Sequence, residues 1–369
     1  MAFNEKTDKR LIIVSATALA ASGALTILKQ FIRHAANDIN NYVMFVPAGL
    51  NLPMHGNIQY IFNAPKGWVG RIYWDWFGCR KAINKLNNNI KKIICLQNST
   101  LNVDFEQVVY LHQPIPFSEY NNFLSNLSLN NLKLFLYKKV YAYFIFKFCN
   151  ERTVFVVQTE WMKIGVLKKC PKLKKEQVIV IKPDVKGFNI SDSFHKNSIR
   201  KNTILYPATP LSYKNHLVIL DALGVLKNKI ELNDICFQVT FNKGEYKNFD
   251  NYVAKNKLES HIEYLGVLTH DLLKVKYQEA TAIVYPSYIE SYGLPLIEAA
   301  SLGKRIICSD LPYSRDVLAQ YNGAVYVKYN HVNGWVDELA NSMLSPSEHY
   351  FKPFENDSRS SWEHFFKLL

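Results

Sequence analysis

One stretch in the last third of the chain has the pattern of a strand, a loop, a helix and a second strand. Residues 281–285 form a short β-branched and aromatic run, which is typical of a buried parallel strand. Pro295 suits the first turn of a helix, where its missing N–H has no partner to lose, and Gly303 lies where that helix should end. Residues 305–308 supply the next strand. Two strands joined by a helix in this order predict an open α/β sheet.

Two glutamates flank the start of the predicted helix. Glu290 falls in the loop beyond the carboxyl end of the strand, whereas Glu298 is expected to project from the first turn of the helix, near unpaired backbone N–H groups. Such a helix start attracts phosphate, and open α/β sheets bind ligands beyond the carboxyl ends of their strands. As isolated residues, the two glutamates also fit a solvated loop charge and a carboxylate that interacts with the helix dipole.

Their surroundings favour a functional role. The two glutamates, with seven residues between them around Gly293, Leu294 and Pro295, resemble the E-x7-E motif of the retaining glycosyltransferases of family 4. The resemblance implies that Glu290 contacts the donor sugar and that Glu298 holds the ribose hydroxyls. It also implies that the turn 293–295 lies against the donor.

The resemblance continues through residues 299–303 and 309–318 and covers nearly the full length of the chain. It implies the α/β GT-B fold, in which two Rossmann-like domains face each other across a cleft and a last helix returns to the first domain. The expected domains are an acceptor-side domain, residues 1–186 with 355–369 packing back on it, and a nucleotide-sugar domain, residues 187–354.

The chain length and composition are consistent with two globular domains. A chain of 369 residues with 48% hydrophobic and 20% charged residues is long for a single core and too apolar to be disordered. Its six cysteines show neither C-x-x-C nor metal-ligand spacing, which suits a reducing cytoplasm.

The positive charge is concentrated in the first half. Residues 1–190 hold 25 lysines and arginines against 11 aspartates and glutamates, while the remainder holds 19 against 20. Such an excess attracts nucleic acid, anionic lipid or a phosphorylated substrate. No nucleic-acid-binding motif accompanies it, so we expect an anionic membrane surface and no nucleic acid as partner.

Two aromatic and basic stretches, 71–92 and 132–149, are the candidates for contact with that membrane, although both also fit ordinary helices that cover a sheet. Charged residues interrupt 132–149, so it is not predicted to span a bilayer. The lysines expected to meet the headgroups are Lys81, Lys85, Lys138 and Lys139.

The apolar run 11–28 near the start is compatible with a signal peptide, but small polar residues interrupt it. We favour a strand at residues 11–15, a loop of small residues, and a helix from Ala24, which together open a Rossmann-like domain. Ser22 and Gly23 resemble the glycine-rich turn of the family, where backbone N–H groups approach phosphate.

A second candidate site residue follows a predicted strand at 107–111. His112 enters a loop that Pro114 and Pro116 stiffen. Loops after strands often carry ligand-binding groups, although a lone histidine is also often structural. The match to the strand-end histidine of the family implies that His112 contacts the donor sugar.

The loop after a predicted strand at 203–206 carries a candidate cation. In the family, the corresponding loop holds an arginine and, five residues later, a lysine, which both contact the donor diphosphate. Lys214 matches the lysine, but Thr209 occupies the arginine position. Either Lys214 acts with the helix dipole alone, or Arg305 or Arg315 replaces the missing cation.

These features predict a retaining transferase that moves a hexose from a nucleotide-diphosphate sugar to a hydroxyl of a free or lipid-linked oligosaccharide. The loops around His112 and Lys214 look most like those of bacterial O-antigen or capsule transferases. Lys214 and the helix start would stabilise the departing diphosphate. The sequence has no Asp-x-Asp pair, so neither a metal nor another cofactor is expected. The expected location is the cytoplasm, peripherally on the inner face of the cytoplasmic membrane.

Two alternatives belong to other classes of protein. The first is a catalytically silent binding protein with the same fold, for which Thr209 at the arginine position is the only support. The second is a glycogen-phosphorylase-like enzyme that shares the E-x7-E region. It is disfavoured because this chain is far shorter and has no recognisable pyridoxal phosphate site.

Overall fold

The computed structural model describes most of the chain. The described residues are 10–20, 22–62, 65, 67–86, 89–118, 129–183, 202–228, 235–344, 351–354 and 361–369. Contacts between residues divide the chain into two compact units, Met1–Asp184 with Arg359–Leu369, and Val185–Ser358. Each unit contains one parallel sheet flanked by helices.

The first unit has a parallel sheet with the strand order β3-β2-β1-β4-β5-β6-β7. Its strands are β1 (Leu11–Ser15), β2 (Asn41–Val46), β3 (Ile58–Phe62), β4 (Ile90–Cys95), β5 (Gln107–Leu111), β6 (Thr153–Val157) and β7 (Val178–Val180). The helical segments are α1 (Ser22–Ala35), α2 (Gly67–Tyr73), a π-helical turn (Trp74–Gly78), α3 (Cys79–Ile83), α4 (Leu129–Phe146) and α5 (Glu160–Lys169).

Both faces of this sheet are covered by apolar side chains. Successive residues of a strand point to opposite faces, so Ile13 packs into a core with Trp74 and Phe155, while Ile12 packs into a second core with Leu28. Burial on both faces explains why the strands are continuous apolar runs. The same burial shows that residues 11–15 form a core strand of the domain.

The last described helix, α12 (Ser361–Phe366), packs on the second of these cores. The Trp362 ring stacks on Tyr110 with 5.5 Å between ring centroids, and Phe366 stacks on Phe31 at 5.3 Å. The Trp362 Nε1–H donates a hydrogen bond to Gln30 Oε1 at 3.1 Å. The expected return of this helix to the first domain is confirmed.

The second unit has a parallel sheet with the order β10-β9-β8-β11-β12-β13. Its strands are β8 (Thr203–Tyr206), β9 (Cys236–Val239), β10 (Ile262–Tyr264), β11 (Ala282–Tyr285), β12 (Arg305–Ser309) and β13 (Ala324–Val327). Its helices are α6 (His216–Leu226), α7 (Lys247–Lys255), α8 (His270–Glu279), α9 (Leu294–Ser301), α10 (Pro312–Val317) and α11 (Val332–Leu344). The strand order reverses between β8 and β11, and ligands of such sheets bind at this switch point.

Gly303 ends α9 for a reason that involves a distant segment. It has φ +66°, and a Cβ atom at this position would lie 2.4 Å from the Phe351 carbonyl oxygen. The Phe351 N–H donates a hydrogen bond to the Gly303 carbonyl at 3.0 Å. Glycine is therefore required both by the backbone conformation and by the close approach of a second chain segment.

The predicted glycine-rich turn of the first unit requires a correction. Helix α1 begins at Ser22, so Gly23 lies in the first helical turn and not in a loop before Ala24. The prediction for the side chain of Ser22 lies outside the described residues. Across the described ranges, no helix combines the length and apolar character that a membrane span needs.

Candidate active site

Lys214 and Glu290 meet at the switch point of the second sheet. Lys214 ends a short 3₁₀ turn that follows β8, and Glu290 lies in the loop after β11. The Lys214 Nζ atom is 2.5 Å from Glu290 Oε1, and the two side chains are only 14% and 13% exposed. The fold thus joins two residues that are 76 positions apart in the sequence.

Aromatic rings surround this ion pair. Lys214 Nζ lies 5.6 Å from the centroid of the Tyr213 ring and 5.8 Å from that of Tyr285, within the range of cation–π attraction. Burial, followed by the negative charge of Glu290, raises the pKa of Tyr285 and Tyr313 far above the usual range. Their hydroxyl groups therefore stay neutral at any physiological pH, and the ammonium group is confined between the rings.

Asn215 ties together three loops at this edge of the sheet. It adopts a left-handed conformation with φ +58°, which asparagine tolerates better than most residues. Its Nδ2 donates hydrogen bonds to the carbonyl oxygens of Pro286 at 3.2 Å and Tyr329 at 2.8 Å. The Tyr206 hydroxyl adds a bond of 2.7 Å to the Lys214 carbonyl. Asn215 is not among the site residues predicted from the sequence, although an asparagine directly before a helix was the available signal.

Glu298 is not in the first turn of its helix, and this part of the sequence interpretation was wrong. Gly293, with φ +83°, precedes the helix, which starts at Leu294, so Glu298 is the fifth helical residue. It accepts a hydrogen bond from the Tyr277 hydroxyl at 2.8 Å. Burial raises the pKa of Glu298, while the bond from Tyr277 acts in the opposite direction. A tyrosine of α8, rather than the N–H groups of the helix start, therefore holds this carboxylate.

The start of α9 offers fewer backbone donors than an ordinary helix start. Pro295, the second residue, has no N–H, and Leu296 donates its N–H to the Gly293 carbonyl at 2.9 Å. Any phosphate bound here would depend strongly on a side-chain cation. This makes the position of Lys214 more important than sequence analysis indicated.

The structure limits which residue could replace the family arginine. Thr209 is exposed in the loop after β8. Arg305 lies at the amino end of β12, the opposite edge of the sheet from Lys214, and pairs with Glu338 at 3.0 Å. Arg315 lies nearer the carboxyl edge, but it pairs with Asp310 at 2.7 Å. The position of Arg305 therefore argues against it as the replacement for the family arginine, and Arg315 is already engaged in an ion pair.

An open groove of about 660 Å³ lies beside the carboxyl ends of β12 and β13, and neither Lys214 nor Glu290 lines it. Its lining includes three carboxylates, from Asp310, Asp337 and Glu338. Arginines pair with Asp310 and Glu338, and Lys328 also lines the groove, so charge alone does not exclude a diphosphate; the groove is the weaker candidate because Lys214 and Glu290 do not line it.

His112 lies at the carboxyl edge of the first sheet, directly after β5. Its backbone N–H donates a hydrogen bond to Asn98 Oδ1 at 2.6 Å. Burial lowers the pKa of the His112 ring to about 4, and the positive charge of Arg71 acts in the same direction. The ring is therefore neutral near pH 7 and is a poor proton acceptor there.

A buried polar network adjoins His112, and sequence analysis missed it. Asp75, in the π-helical turn, accepts hydrogen bonds from Gln97 Nε2 at 2.8 Å and Ser99 Oγ at 2.7 Å. Burial raises the pKa of Asp75 to about 6, although the Ser99 bond opposes the shift. Arg71 donates to the Gln97 carbonyl and, at 2.9 Å, to the Tyr141 hydroxyl. One face of the 71–92 stretch is thus anchored in the domain interior.

Two parallel Rossmann-like sheets are the fold of the GT-B class of glycosyltransferases, and in this chain an acidic and a basic side chain pair at the switch point of the second sheet. Residues 189–353 match the family model described as glycosyl transferases group 1. The second unit, Val185–Ser358, belongs to this family of glycosyltransferases over most of its length.

Comparison with individual proteins agrees with this assignment. The chain is 26% identical over 273 residues to the O-antigen chain mannosyltransferase RfbU of Salmonella typhimurium, a match that covers 74% of this chain and 70% of RfbU. The crystal structure of WaaG, a glycosyltransferase of lipopolysaccharide biosynthesis, superposes with a TM-score of 0.67 at 13% identity, over 92% of this chain and 93% of WaaG. The crystal structure of Anabaena HepE in complex with UDP and glucose superposes with a TM-score of 0.62 at 12% identity, over 97% of this chain and 99% of HepE. The two solved structures show the GT-B fold.

Replacing Glu298 by glutamine is expected to weaken donor binding more than the maximal rate. The carboxylate is expected to accept hydrogen bonds from the ribose, and a charge-assisted bond contributes ~1.5–3 kcal/mol. Tyr277→Phe, which removes only the hydroxyl that donates to Glu298 at 2.8 Å, is the matched variant and should weaken binding less. Calorimetric titration with the donor nucleotide measures the donor affinity of both variants. Equal donor affinity in parent and Glu298→Gln proteins would contradict the ribose assignment.

His216 should make the fold sensitive to acid. It is fully buried, and burial, followed by the charge of Lys214, lowers its pKa to about 3 from 6.5. Below pH 6.5 the unfolded chain binds a proton that the folded state does not, so this residue costs up to ~1.4 kcal/mol of stability per pH unit. His216→Phe should remove this contribution. The test compares denaturant unfolding of both proteins at pH 7.5 and 5.5, and an identical loss of stability in both would show the expectation to be wrong.

Proposed function

We propose that this protein is a retaining hexosyltransferase that uses a nucleotide-diphosphate sugar as donor. The observation that carries the proposal is the pairing of Lys214 with Glu290 at the switch point of the second sheet. Glu298 of α9, which the Tyr277 hydroxyl of α8 holds, supplies a largely buried carboxylate for the ribose. HepE, a protein of the same fold, was solved with UDP and glucose, which supports a nucleotide-sugar donor.

The proposed reaction breaks the bond between the anomeric carbon and the diphosphate oxygen. The departing diphosphate gains negative charge, which Lys214 stabilises, and the sugar becomes oxocarbenium-like. The acceptor hydroxyl attacks from the face that the diphosphate leaves, and its proton passes to a diphosphate oxygen, so the anomeric configuration is retained. Glu290 positions a sugar hydroxyl and is not a covalent nucleophile, because Lys214 already engages its carboxylate.

In this proposal, Lys214 is the principal cation for the donor. Thr209 adds no charge and Arg305 lies at the wrong edge of the sheet. Arg315, which like Lys214 is paired with a carboxylate, lies in α10 after β12, one strand farther from the switch point. The rings around Lys214 compensate in part, because they hold the ammonium in one place and exclude water, which strengthens its interaction with phosphate. His112 contributes a neutral ring to the contact with the donor sugar.

The proposed acceptor is an oligosaccharide on a polyprenyl-diphosphate lipid, as in O-antigen or capsule synthesis. The similarity to the O-antigen chain mannosyltransferase RfbU supports this choice. An enzyme acting on such a lipid must reach the membrane surface, and we propose that the first unit binds anionic headgroups from the cytoplasmic side.

The surface that suits this contact is formed by α2, the π-helical turn, α3 and α4, and is called here the aromatic–basic surface. Trp68 of α2 packs against Tyr137 of α4 with 5.0 Å between ring centroids. Lys147 lies 4.9 Å from the centroid of the Tyr143 ring, and Lys81 lies 5.9 Å from that of Tyr73. Exposed apolar side chains on these helices are Trp68, Val69, Tyr73, Phe77, Leu132, Leu136, Val140 and Tyr143.

One lysine assigned to this surface does not belong to it. Lys138 is buried, so it cannot meet headgroups as sequence analysis expected. Lys81, Lys85, Lys139 and Lys147 are exposed. Exposed rings with lysines beside them match the composition of surfaces that bind anionic bilayers.

The decisive experiment is a screen of nucleotide sugars for transfer or slow donor hydrolysis, with and without EDTA. We expect activity with at least one donor, and we expect it to survive the chelator, because Lys214 takes the place of a metal cation. Complete loss in EDTA that added Mg²⁺ or Mn²⁺ restores would refute metal independence. Binding of a nucleotide without turnover of any donor would favour the silent binding protein instead.

A further inference from the structure

Asn98 joins two loops at the carboxyl edge of the first sheet. It follows β4 in a left-handed conformation with φ +65° and is only 7% exposed. Its Oδ1 accepts hydrogen bonds from the backbone N–H groups of His112 at 2.6 Å and Gln113 at 3.0 Å. One side chain thus holds the backbone of the loop that carries His112.

These two bonds fix the orientation of the Asn98 amide. A carboxamide oxygen accepts hydrogen bonds and the amide nitrogen only donates them, so the atom that faces both N–H groups is the oxygen. The NH₂ group therefore faces His112 Nε2, 3.1 Å away. Because the NH₂ group has no lone pair to offer, Nε2 must accept and carries no proton. A neutral His112 ring then has its proton on Nδ1.

Other groups near His112 keep the ring neutral. Burial lowers its pKa to about 4, Arg71 of α2 lowers it further, and the backbone of Tyr110 in β5 opposes the shift without cancelling it. Asp75, in the π-helical turn, is hydrogen bonded by Gln97 and Ser99. His112 Nδ1 is buried and makes no well-formed hydrogen bond to any residue in the described part of the chain.

We propose that Asn98 is a positioning residue for sugar transfer, which locks His112 in the Nδ1-protonated form and presents a neutral ring of fixed orientation to the donor. This inference rests on the proposed function, because contact between His112 and the donor sugar is part of that function. In this arrangement Nδ1 keeps its proton in an enclosed position near the backbone of Tyr110, the ring is only partly exposed, and His112 acts neither as a base nor as a cation. Sequence analysis gave no signal for Asn98, which lies 14 residues before its partner.

Asn98→Asp separates this role from a purely structural one. A carboxylate of the same size can still accept both backbone N–H groups, so the loop should keep its shape. It would also present an acceptor to Nε2, which must then take up a proton. A carboxylate at this distance raises the pKa of a histidine by ~1–3 pH units. The proton should therefore appear on Nε2, and His112 should titrate at a higher pH than in the parent protein.

The experiment uses the full chain labelled with ¹⁵N, without donor, and two-bond ¹H–¹⁵N spectra that identify which ring nitrogen is protonated. His112→Gln assigns the His112 signals by their loss. We expect a protonated Nδ1 in the parent, unchanged down to pH 5, and an Nε2-protonated ring in Asn98→Asp. Asn202→Asp alters another left-handed asparagine, with φ +55°, in the second unit and should leave His112 unchanged.

Transfer rates complete the test. Asn98→Asp should lower the maximal rate by up to ~100-fold at pH 7, and a pH above the new pKa of His112 should not restore it, because the neutral ring beside the carboxylate still carries its proton on Nε2 and not on Nδ1. A parent spectrum with the proton on Nε2, or a His112 spectrum that Asn98→Asp does not change, overturns this inference alone. A parent enzyme that transfers no sugar from any donor overturns the proposed function, and the positioning role with it.

Discussion

Replacing Glu290 by glutamine is expected to lower sugar transfer at least ~100-fold, as when one preorganised polar group is removed from an active site. Glutamine keeps the size of the side chain but removes the charge that pairs with Lys214 at 2.5 Å. The Lys214 ammonium would be left unpaired beside the rings of Tyr213 and Tyr285. The free energy of unfolding should therefore also fall, by ~1–3 kcal/mol. Initial rates and denaturant unfolding measure the two effects.

A second substitution separates the catalytic loss from the structural one. In Lys214→Met with Glu290→Gln, both charges are absent and an apolar chain lies among the rings, so most of the lost stability should return. Transfer should not return, because the departing diphosphate has no cation. A double variant that regains transfer together with stability would contradict the roles assigned to both residues.

The ion pair of Arg305 and Glu338 provides the matched control. Its atoms are 3.0 Å apart and its side chains are similarly shielded, but Arg305 lies at the amino end of β12, away from the switch point. Arg305→Met with Glu338→Gln should therefore leave transfer near the parent rate. A large loss of transfer in this control would reassign Arg305 as the cation that Thr209 does not supply.

The strands of both sheets were predictable because buried parallel strands are continuous apolar runs bounded by loop residues. Residues 11–15 and 203–206 are observed with the bounds that their composition indicates, as β1 and β8. Gly303 was also recognisable as a helix end. Its contact with Phe351 was not, because 47 residues of chain lie between the two.

The site was only partly predictable, for a physical reason. Lys214 and Glu290 could be located because each lies in a loop after a strand, and a local pattern marks such places. The same pattern placed Glu298 on the right helix but in the wrong turn. Tyr277 and Asn98 could not be located, because each acts through a partner that the fold brings from elsewhere in the chain. The burial that raises the pKa of Glu298 and lowers that of His112 also depends on packing by distant segments, so no local pattern in the sequence indicates it.

Charge reversal on the aromatic–basic surface is expected to release the protein from anionic membranes. The exposed lysines to be replaced by glutamate are Lys81, Lys85, Lys139 and Lys147. Each positive charge near an anionic surface contributes ~1 kcal/mol, so loss of all four should weaken binding at least ~1,000-fold before the new repulsion is counted. Sedimentation with vesicles that contain phosphatidylglycerol, at low ionic strength, measures the effect. About 1 M salt should release the parent protein too, since the Debye length is then about 3 Å.

The control places the same charge change on the second unit. Its exposed lysines are Lys243, Lys247, Lys255 and Lys257. Both variants should still hydrolyse the donor, because Lys214 and Glu290 are unchanged, but only the first should leave the membrane. Equal release of the two variants would assign binding to net charge and not to a defined surface.

Equal binding of the parent to neutral and anionic vesicles, or to neither, would remove the anionic membrane as a partner. A soluble oligosaccharide would then be the better acceptor, since the exposed rings around Lys81 and Lys147 can also stack on sugars.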